Sequence, residues 1–173
     1  MITKELILDA LVEKDNIVSN PDADILKIVV KNRYFDAPPA VGFVTGFGIK
    51  TGAIASCVAH DSHNIIAVGA DDQSITRAVN LVIRSKGGIS LVDGSTEKIL
   101  ELPVAGIMSN DDGYKVASLY DWLDRKAKMS GSHLNAPFMT LSFMALLVIP
   151  ELKLSDKGLF DGQHFKFTGL FQK

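Results

Sequence analysis

Four short apolar segments follow one another between residues 25 and 69, and they constrain the fold more than any other feature. They are Ile25–Val30, Val41–Phe47, Thr51–Ala59 and Asn64–Gly69. Their length and their β-branched or small apolar residues favour β-strands. The connections between them are short, whereas a parallel crossover needs a dozen residues or more. We therefore expect neighbouring strands that run antiparallel.

In the rest of the chain, segments whose apolar residues have helical spacing alternate with segments that have the spacing of strands. Segments with helical spacing or a continuous apolar run predict three helices. The first lies between Asp71-Asp72 and Gly87-Gly88, and the others are Tyr114–Met129 and Pro137–Ile149. Two segments around Gly94 predict a hairpin, namely Ile89–Val92 and Ile99–Leu102. The alternation within Phe165–Phe171 predicts a closing strand. This order of elements predicts an α+β fold, with a mostly antiparallel sheet flanked by helices in a single domain.

Composition and charge limit the classes of function. The 173 residues are 47% hydrophobic and 22% charged, which is ordinary for one globular domain. The net charge is −2 and no run of five like charges occurs, so neither nucleic acid nor an anionic membrane is an expected partner. Met144–Pro150 is too short to cross a bilayer, and residues 1–5 lack a signal-peptide pattern. We expect a cytoplasmic protein whose single cysteine, Cys57, is a buried thiol.

One polar segment, His60-Asp61-Ser62-His63-Asn64, separates two apolar runs and is the main candidate for chemistry. His60, Asp61 and His63 are ligand types that would suit a metal. A histidine oriented by Asp61 would suit acid–base work. Ser62 would suit nucleophilic catalysis, although no Gly-x-Ser-x-Gly elbow is present. The same residue types also build ordinary turns, and residue chemistry alone favours that simpler interpretation.

Two other segments have both a functional and a structural interpretation. Gly46-Phe47-Gly48 begins like a dinucleotide-binding loop, but Thr51 replaces the third glycine and strand residues follow where a helix is required. That function is therefore disfavoured. Thr140 and Ser142 lie in an apolar run that would suit the lining of a pocket for a flat ligand. Such hydroxyls more often bond back to the helix backbone in a core.

Several ordered motifs together resemble the C-terminal domain of adenine deaminases of the amidohydrolase superfamily. The first motifs are the glycine-rich Val41–Lys50, Gly52–Ser56 and the polar His60–Asn64. Later motifs continue in the same order, and they are Leu102–Ser109, Pro137–Phe143, Val148–Leu154 and Lys157–Asp161. The resemblance runs from Asp24 towards the C-terminus. It divides the chain into a lead-in segment, residues 1–23, and the domain itself, residues 24–173.

The resemblance implies an accessory domain of a hydrolase that converts adenine and water to hypoxanthine and ammonia. In such enzymes a manganese or iron centre activates the water, and its ligands lie in a preceding (β/α)₈ barrel, which needs about 250 residues. We therefore expect this chain to pack on that barrel, to hold no cofactor and not to be catalytic alone. His60, Asp61, Ser62, His63, Asn64, Thr140 and Ser142 are expected near the substrate or the domain interface.

Two other functions remain open at this point. The chain would also suit a non-enzymatic docking or oligomerisation module, because apolar surface that a barrel normally covers would favour homo-oligomers. It would also suit a small metal- or purine-binding protein built on the His60–Asn64 loop.

Overall fold

A computed structural model describes residues 2–171 as three helices and eleven strands. The helices are α1 (Asp72–Arg84), α2 (Gly113–Met129) and α3 (Pro137–Phe143). The strands are β1 (Val12–Glu13), β2 (Asn16–Ile17), β3 (Leu26–Lys31), β4 (Ala40–Val44), β5 (Ala53–Ser56), β6 (Ile65–Gly69), β7 (Gly88–Asp93), β8 (Thr96–Glu101), β9 (Leu152–Ser155), β10 (Gly158–Asp161) and β11 (Lys166–Phe167).

Six strands form the central sheet, in the order β4-β3-β6-β5-β7-β8, and every neighbouring pair is antiparallel. Alternate side chains along each strand point to opposite faces. In β6, for example, Ile66 and Val68 enter one apolar core, whereas Ile65 and Ala67 enter another. Both faces of the central sheet are therefore covered.

The two cores lie on opposite faces of this sheet. α1 covers one face with Ile75, Ala78 and Val82. Its first turn is capped by Asp71, whose carboxylate accepts hydrogen bonds from the Ser74 backbone N–H and hydroxyl. α2 and α3 cover the other face with Leu123, Ala127, Phe138 and Leu141. None of the helices in residues 2–171 is long and apolar enough to span a membrane.

Two smaller sheets complete the fold. β1 and β2 form a short hairpin, and β9, β10 and β11 form a three-stranded antiparallel sheet. The buried Leu154 of β9 belongs to the same core as β3, and it lies over β4, where a Cβ added at Gly42 would be in ordinary contact with it at 3.5 Å. The second sheet therefore extends the α2–α3 face of the molecule.

The expected α+β class, with a mostly antiparallel sheet and flanking helices, is confirmed. The first two predicted helices and the hairpin around Gly94 are also present. The third helix was predicted too long, because α3 ends at Phe143 and turns follow up to residue 150. The closing strand is only Lys166–Phe167, and β9 and β10 were not predicted at all. The single cysteine is buried as expected, with Cys57 fully inaccessible.

Candidate functional site

The polar loop His60–Asn64 lies at one end of the central sheet. It connects β5 to β6, and the pairing of Lys31 with Ile65 places the end of β3 beside it. Because β3 and β5 are both antiparallel to β6, the loops that follow β3 and β5 emerge at the same end of the sheet. We call this end, with the residues that contact the polar loop, the loop end of the sheet.

Backbone hydrogen bonds fix the loop at both of its ends. The His60 N–H donates to the Ser142 carbonyl at 3.1 Å, and the His63 N–H donates to the Ala59 carbonyl at 2.8 Å. Asp61 and Ser62 are exposed at the tip, whereas both histidines are partly buried. The loop therefore presents its two middle residues to solvent and turns its imidazoles towards the protein.

The two imidazoles lie close to one another and to α3. The His60 ring centroid is 5.1 Å from that of Phe143 and 6.2 Å from that of His63. Among the residues from 2 to 171, the buried Nδ1 of His63 has no hydrogen-bond partner. A buried polar atom without a partner is costly, and native proteins rarely leave one unsatisfied. This nitrogen is therefore the least satisfied polar atom of the loop end.

The β3–β4 connection supplies residues that the sequence patterns did not reveal. The Arg33 N–H donates to the Oδ1 of Asn64 at 3.2 Å, and the Tyr34 hydroxyl donates to the Ser62 carbonyl at 3.1 Å. The Arg33 guanidinium lies 4.9 Å from the Tyr34 ring centroid, a cation–π distance. Arg33 and Tyr34 thus hold the polar loop from its solvent side.

The segment after β8 closes the loop end from another direction. The Arg33 guanidinium donates to the Ala105 carbonyl at 2.7 Å. Gly106 has a φ of +79°, and a Cβ there would lie 1.9 Å from the Arg33 guanidinium, so a side chain at this position would displace that group. The Cys57 thiol donates to the Gly106 carbonyl at 2.7 Å, and its sulfur accepts from the Gly88 N–H at 3.0 Å. Hydrogen bonds between side chains and backbone therefore join three separate connections at the loop end.

The predicted α3 residues are divided between two places. Ser142 contributes its carbonyl to the polar loop, while its buried hydroxyl donates to the Met139 carbonyl within α3. The core interpretation of that hydroxyl is thus the correct one. Thr140 lies elsewhere. With Met144 it lines an apolar groove of about 810 Å³, close to Val44 at the end of β4 that is opposite the polar loop. The structure therefore places six of the seven predicted site residues together and Thr140 apart.

One buried lysine belongs to this groove. Lys153 of β9 is 2% exposed, and its ammonium donates to the Thr3 hydroxyl at 3.2 Å. Burial lowers the pKa of Lys153 below the ordinary lysine value, because the charged form loses hydration. Lys153 is a residue that the sequence patterns did not single out.

The residues at the loop end do not form a metal centre. Nowhere between residues 2 and 171 do three His, Cys, Asp or Glu side chains come together in a way that could hold a metal ion. A zinc-like or di-metal site normally requires at least three protein ligands. The donors within residues 2–171 therefore do not fit the manganese or iron that the resemblance implies for a complete enzyme.

The fold and site define an α+β domain with one polar, aromatic-backed loop at the end of its central sheet. The family model described as adenine deaminase C-terminal domain matches residues 1–166. This match covers nearly the whole chain, and the chain belongs to the adenine deaminase C-terminal domain family.

Proteins named adenine deaminase are similar to nearly the whole chain. The protein from Methanosarcina acetivorans is 54% identical over an alignment of 173 residues, which covers 99% of this chain and 31% of that relative. The protein from Sulfurovum sp. is 57% identical over 168 residues, covering 96% of this chain and 30% of the relative. The protein from Methanothermobacter thermautotrophicus is 45% identical, with 99% and 32% covered. The chain thus spans about a third of the length of these relatives.

Proposed function

We propose that this chain is the accessory domain of an adenine-deaminating hydrolase, and that its His60–Asn64 loop faces the active-site mouth of an amidohydrolase barrel. The reaction is the hydrolysis of adenine to hypoxanthine and ammonia. The observation that carries the proposal is the exposed tip of this loop, Asp61 and Ser62, which Ser142 and Tyr34 hold at one end of the central sheet.

The loop is suited to enclosing a site. Its base is fixed to α3 through the Ser142 carbonyl, and its tip is fixed to Tyr34. A restrained loop with apolar support excludes water from a neighbouring pocket and keeps a substrate oriented. The exposed Asp61 and Ser62 would face the enclosed space, and the partly buried His60 and His63 would hold the tip in position, with His60 backed by the Phe143 ring.

Activation of the water belongs, in this proposal, to the barrel. Because no group of metal-ligand side chains comes together in the part of the chain that the structure describes, no step of the reaction is assigned to a metal held here. The contribution of this chain is to enclose, orient and exclude water. Adenine turnover is therefore expected only when a barrel is present, and not with the chain alone.

The test uses a chimera in which this chain replaces the matched C-terminal third of the Methanosarcina acetivorans relative. Adenine deamination is measured with added manganese for the chimera, for the chain alone, and for the chimera carrying His60→Ala with His63→Ala. We expect activity in the chimera, none in the chain alone, and a loss of about tenfold to a hundredfold in kcat/KM in the double variant, the scale expected when a substrate is mispositioned.

His133→Ala is the matched control, because His133 is exposed and does not belong to the polar loop. Melting temperatures of all variants report whether a loss of activity reflects unfolding. Full turnover by a folded double variant would refute the role of the loop, and turnover by the chain alone would refute its accessory role.

A further inference from the structure

Both ends of the described chain meet at the apolar groove of about 810 Å³. The N-terminal arm, residues 2–11, lines one wall together with Leu170 and Phe171. Several large apolar side chains there are exposed to solvent. They form what we call the terminal patch, which consists of Ile2 (77% exposed), Leu6 (58%), Ile7 (76%), Leu8 (51%) and Phe171 (70%).

Hydrogen bonds from Thr3 and Glu5 hold the arm against the start of β9. The Thr3 N–H donates to the Pro150 carbonyl at 3.1 Å, and the Glu151 N–H donates to the Thr3 carbonyl at 3.3 Å. The Thr3 hydroxyl adds a bond to the Leu152 carbonyl, and the Glu5 N–H donates to the Glu151 carboxylate. One edge of the arm is therefore fixed against the start of β9, which leaves the patch side chains outward.

A contiguous exposed apolar patch of this kind is unusual on a monomeric domain and marks an interaction surface. Isolated apolar residues on a surface need no explanation, but five large ones around one groove do. Between residues 2 and 11 no helix or strand forms that would bury them. The patch therefore requires a covering surface.

The relatives indicate what that surface is. The chain matches about a third of their length, and the matched family is a C-terminal domain, so the rest of each relative precedes this region. Polypeptide that precedes the domain enters it at the N-terminal arm, which is part of the patch. A tethered neighbour has a high effective concentration at the tether point.

We propose that the terminal patch is the surface on which this domain docks against the amidohydrolase barrel. This inference rests on the proposed accessory function and adds a second contact to it. The patch lies near the end of the sheet where β4 finishes at Val44, whereas the polar loop lies at the opposite end. The patch would supply the apolar adhesion, and the loop would reach the active site.

Hydroxyl-radical footprinting of side chains tests the docking surface directly. Oxidation is compared between the chain alone and the chimera described above. We expect Ile7, Leu8 and Phe171 to be oxidised roughly fivefold more slowly in the chimera, since highly exposed side chains become part of an interface core. Ile83 and Tyr114, exposed on α1 and α2, are the internal controls and keep their rates. Equal oxidation of the patch in both proteins would overturn the proposal.

Ile7→Asp and Ile83→Asp provide the matched variants. Both positions are exposed isoleucines, so neither change is expected to alter the melting temperature of the chain alone. In the chimera, Ile7→Asp should restore oxidation of Leu8 and Phe171 to the level of the chain alone, whereas Ile83→Asp should not. Continued protection of Leu8 and Phe171 in the Ile7→Asp chimera would contradict docking through the patch.

The same samples separate this inference from its rivals. If a second copy of the chain covers the patch, protection appears in the chain alone and increases with its concentration, which would overturn the commitment to the barrel. If the chimera deaminates adenine while its patch remains unprotected, only the docking surface is wrong. If the patch is protected while folded His60→Ala/His63→Ala chimeras retain full turnover, only the role of the polar loop is wrong.

Discussion

Asn64 shows at the scale of single residues how the polar loop is joined to the core. Its side chain is 2% exposed, and its Oδ1 accepts a hydrogen bond from the Arg33 N–H. The polar composition of the loop suggested a site, but nothing in the sequence indicated that Arg33 and Tyr34 would hold it. Those two residues belong to a different connection, and only the antiparallel pairing of β3 with β6 brings the two connections together.

Asn64→Ala should destabilise the folded chain by about 1–3 kcal/mol, because it leaves the Arg33 N–H without its acceptor. Urea unfolding followed by circular dichroism measures the difference. Asn110→Ala is the control, since Asn110 is exposed, and its free energy of unfolding should change by less than about 0.5 kcal/mol. Equal stability of the two variants would show that the buried amide contributes nothing.

The elements differ in how far local sequence determines them. The strands between residues 25 and 69 and the helices α1 and α2 follow from apolar period and capping, since these signals are local. The end of α3 does not, because Pro137–Ile149 is apolar apart from Thr140 and Ser142 and has no periodic pattern that would mark it. The Met144 carbonyl instead accepts a hydrogen bond from the Leu154 N–H of β9. The helix stops where a non-local strand competes for its backbone.

Gly69 illustrates how tightly α1 packs on the sheet. A Cβ at this position in β6 would lie 2.5 Å from the Ala53 Cβ and 2.8 Å from the Ile75 Cγ1. Gly69→Ala should therefore lower the free energy of unfolding by about 1–3 kcal/mol, the usual cost of overpacking. Gly113→Ala, at the start of α2 where no atom lies within 4 Å, should cause no loss. Chemical denaturation of both variants measures the two changes in stability. Similar denaturation midpoints for Gly69→Ala and Gly113→Ala would refute tight packing at β6.

The molecule as a whole combines a well-packed α+β body with two less satisfied regions, the loop end and the terminal patch. Lys153 lies beneath the patch, where its ammonium contacts Thr3 of the arm. Since burial lowers its pKa, the folded chain releases this proton at a lower pH than the unfolded chain does. The protonation of Lys153 is thereby linked to the free energy of unfolding of the whole chain.

The free energy of unfolding should rise with pH between the lowered pKa of folded Lys153 and the ordinary lysine value of about 10.4. Over that interval the unfolded chain binds a proton that the folded chain does not, and stability increases with pH under that condition. Lys153→Met should remove this rise, whereas Lys98→Met, at an exposed position of β8, should retain it. Parallel pH profiles for Lys153→Met and the parent chain would contradict the assignment.

The sequence by itself determined the α+β class, most of the central sheet, two of the three helices, the family resemblance and the polar loop as the candidate site. These follow from local periodicity, turn chemistry and ordered motifs, each contained in a few adjacent residues. Only the tertiary structure placed Arg33, Tyr34 and Gly106 around the loop, separated Thr140 from it, and left the Nδ1 of His63 without a partner within the described chain. These features depend on strand order and register, which bring distant residues together without a pattern along the chain.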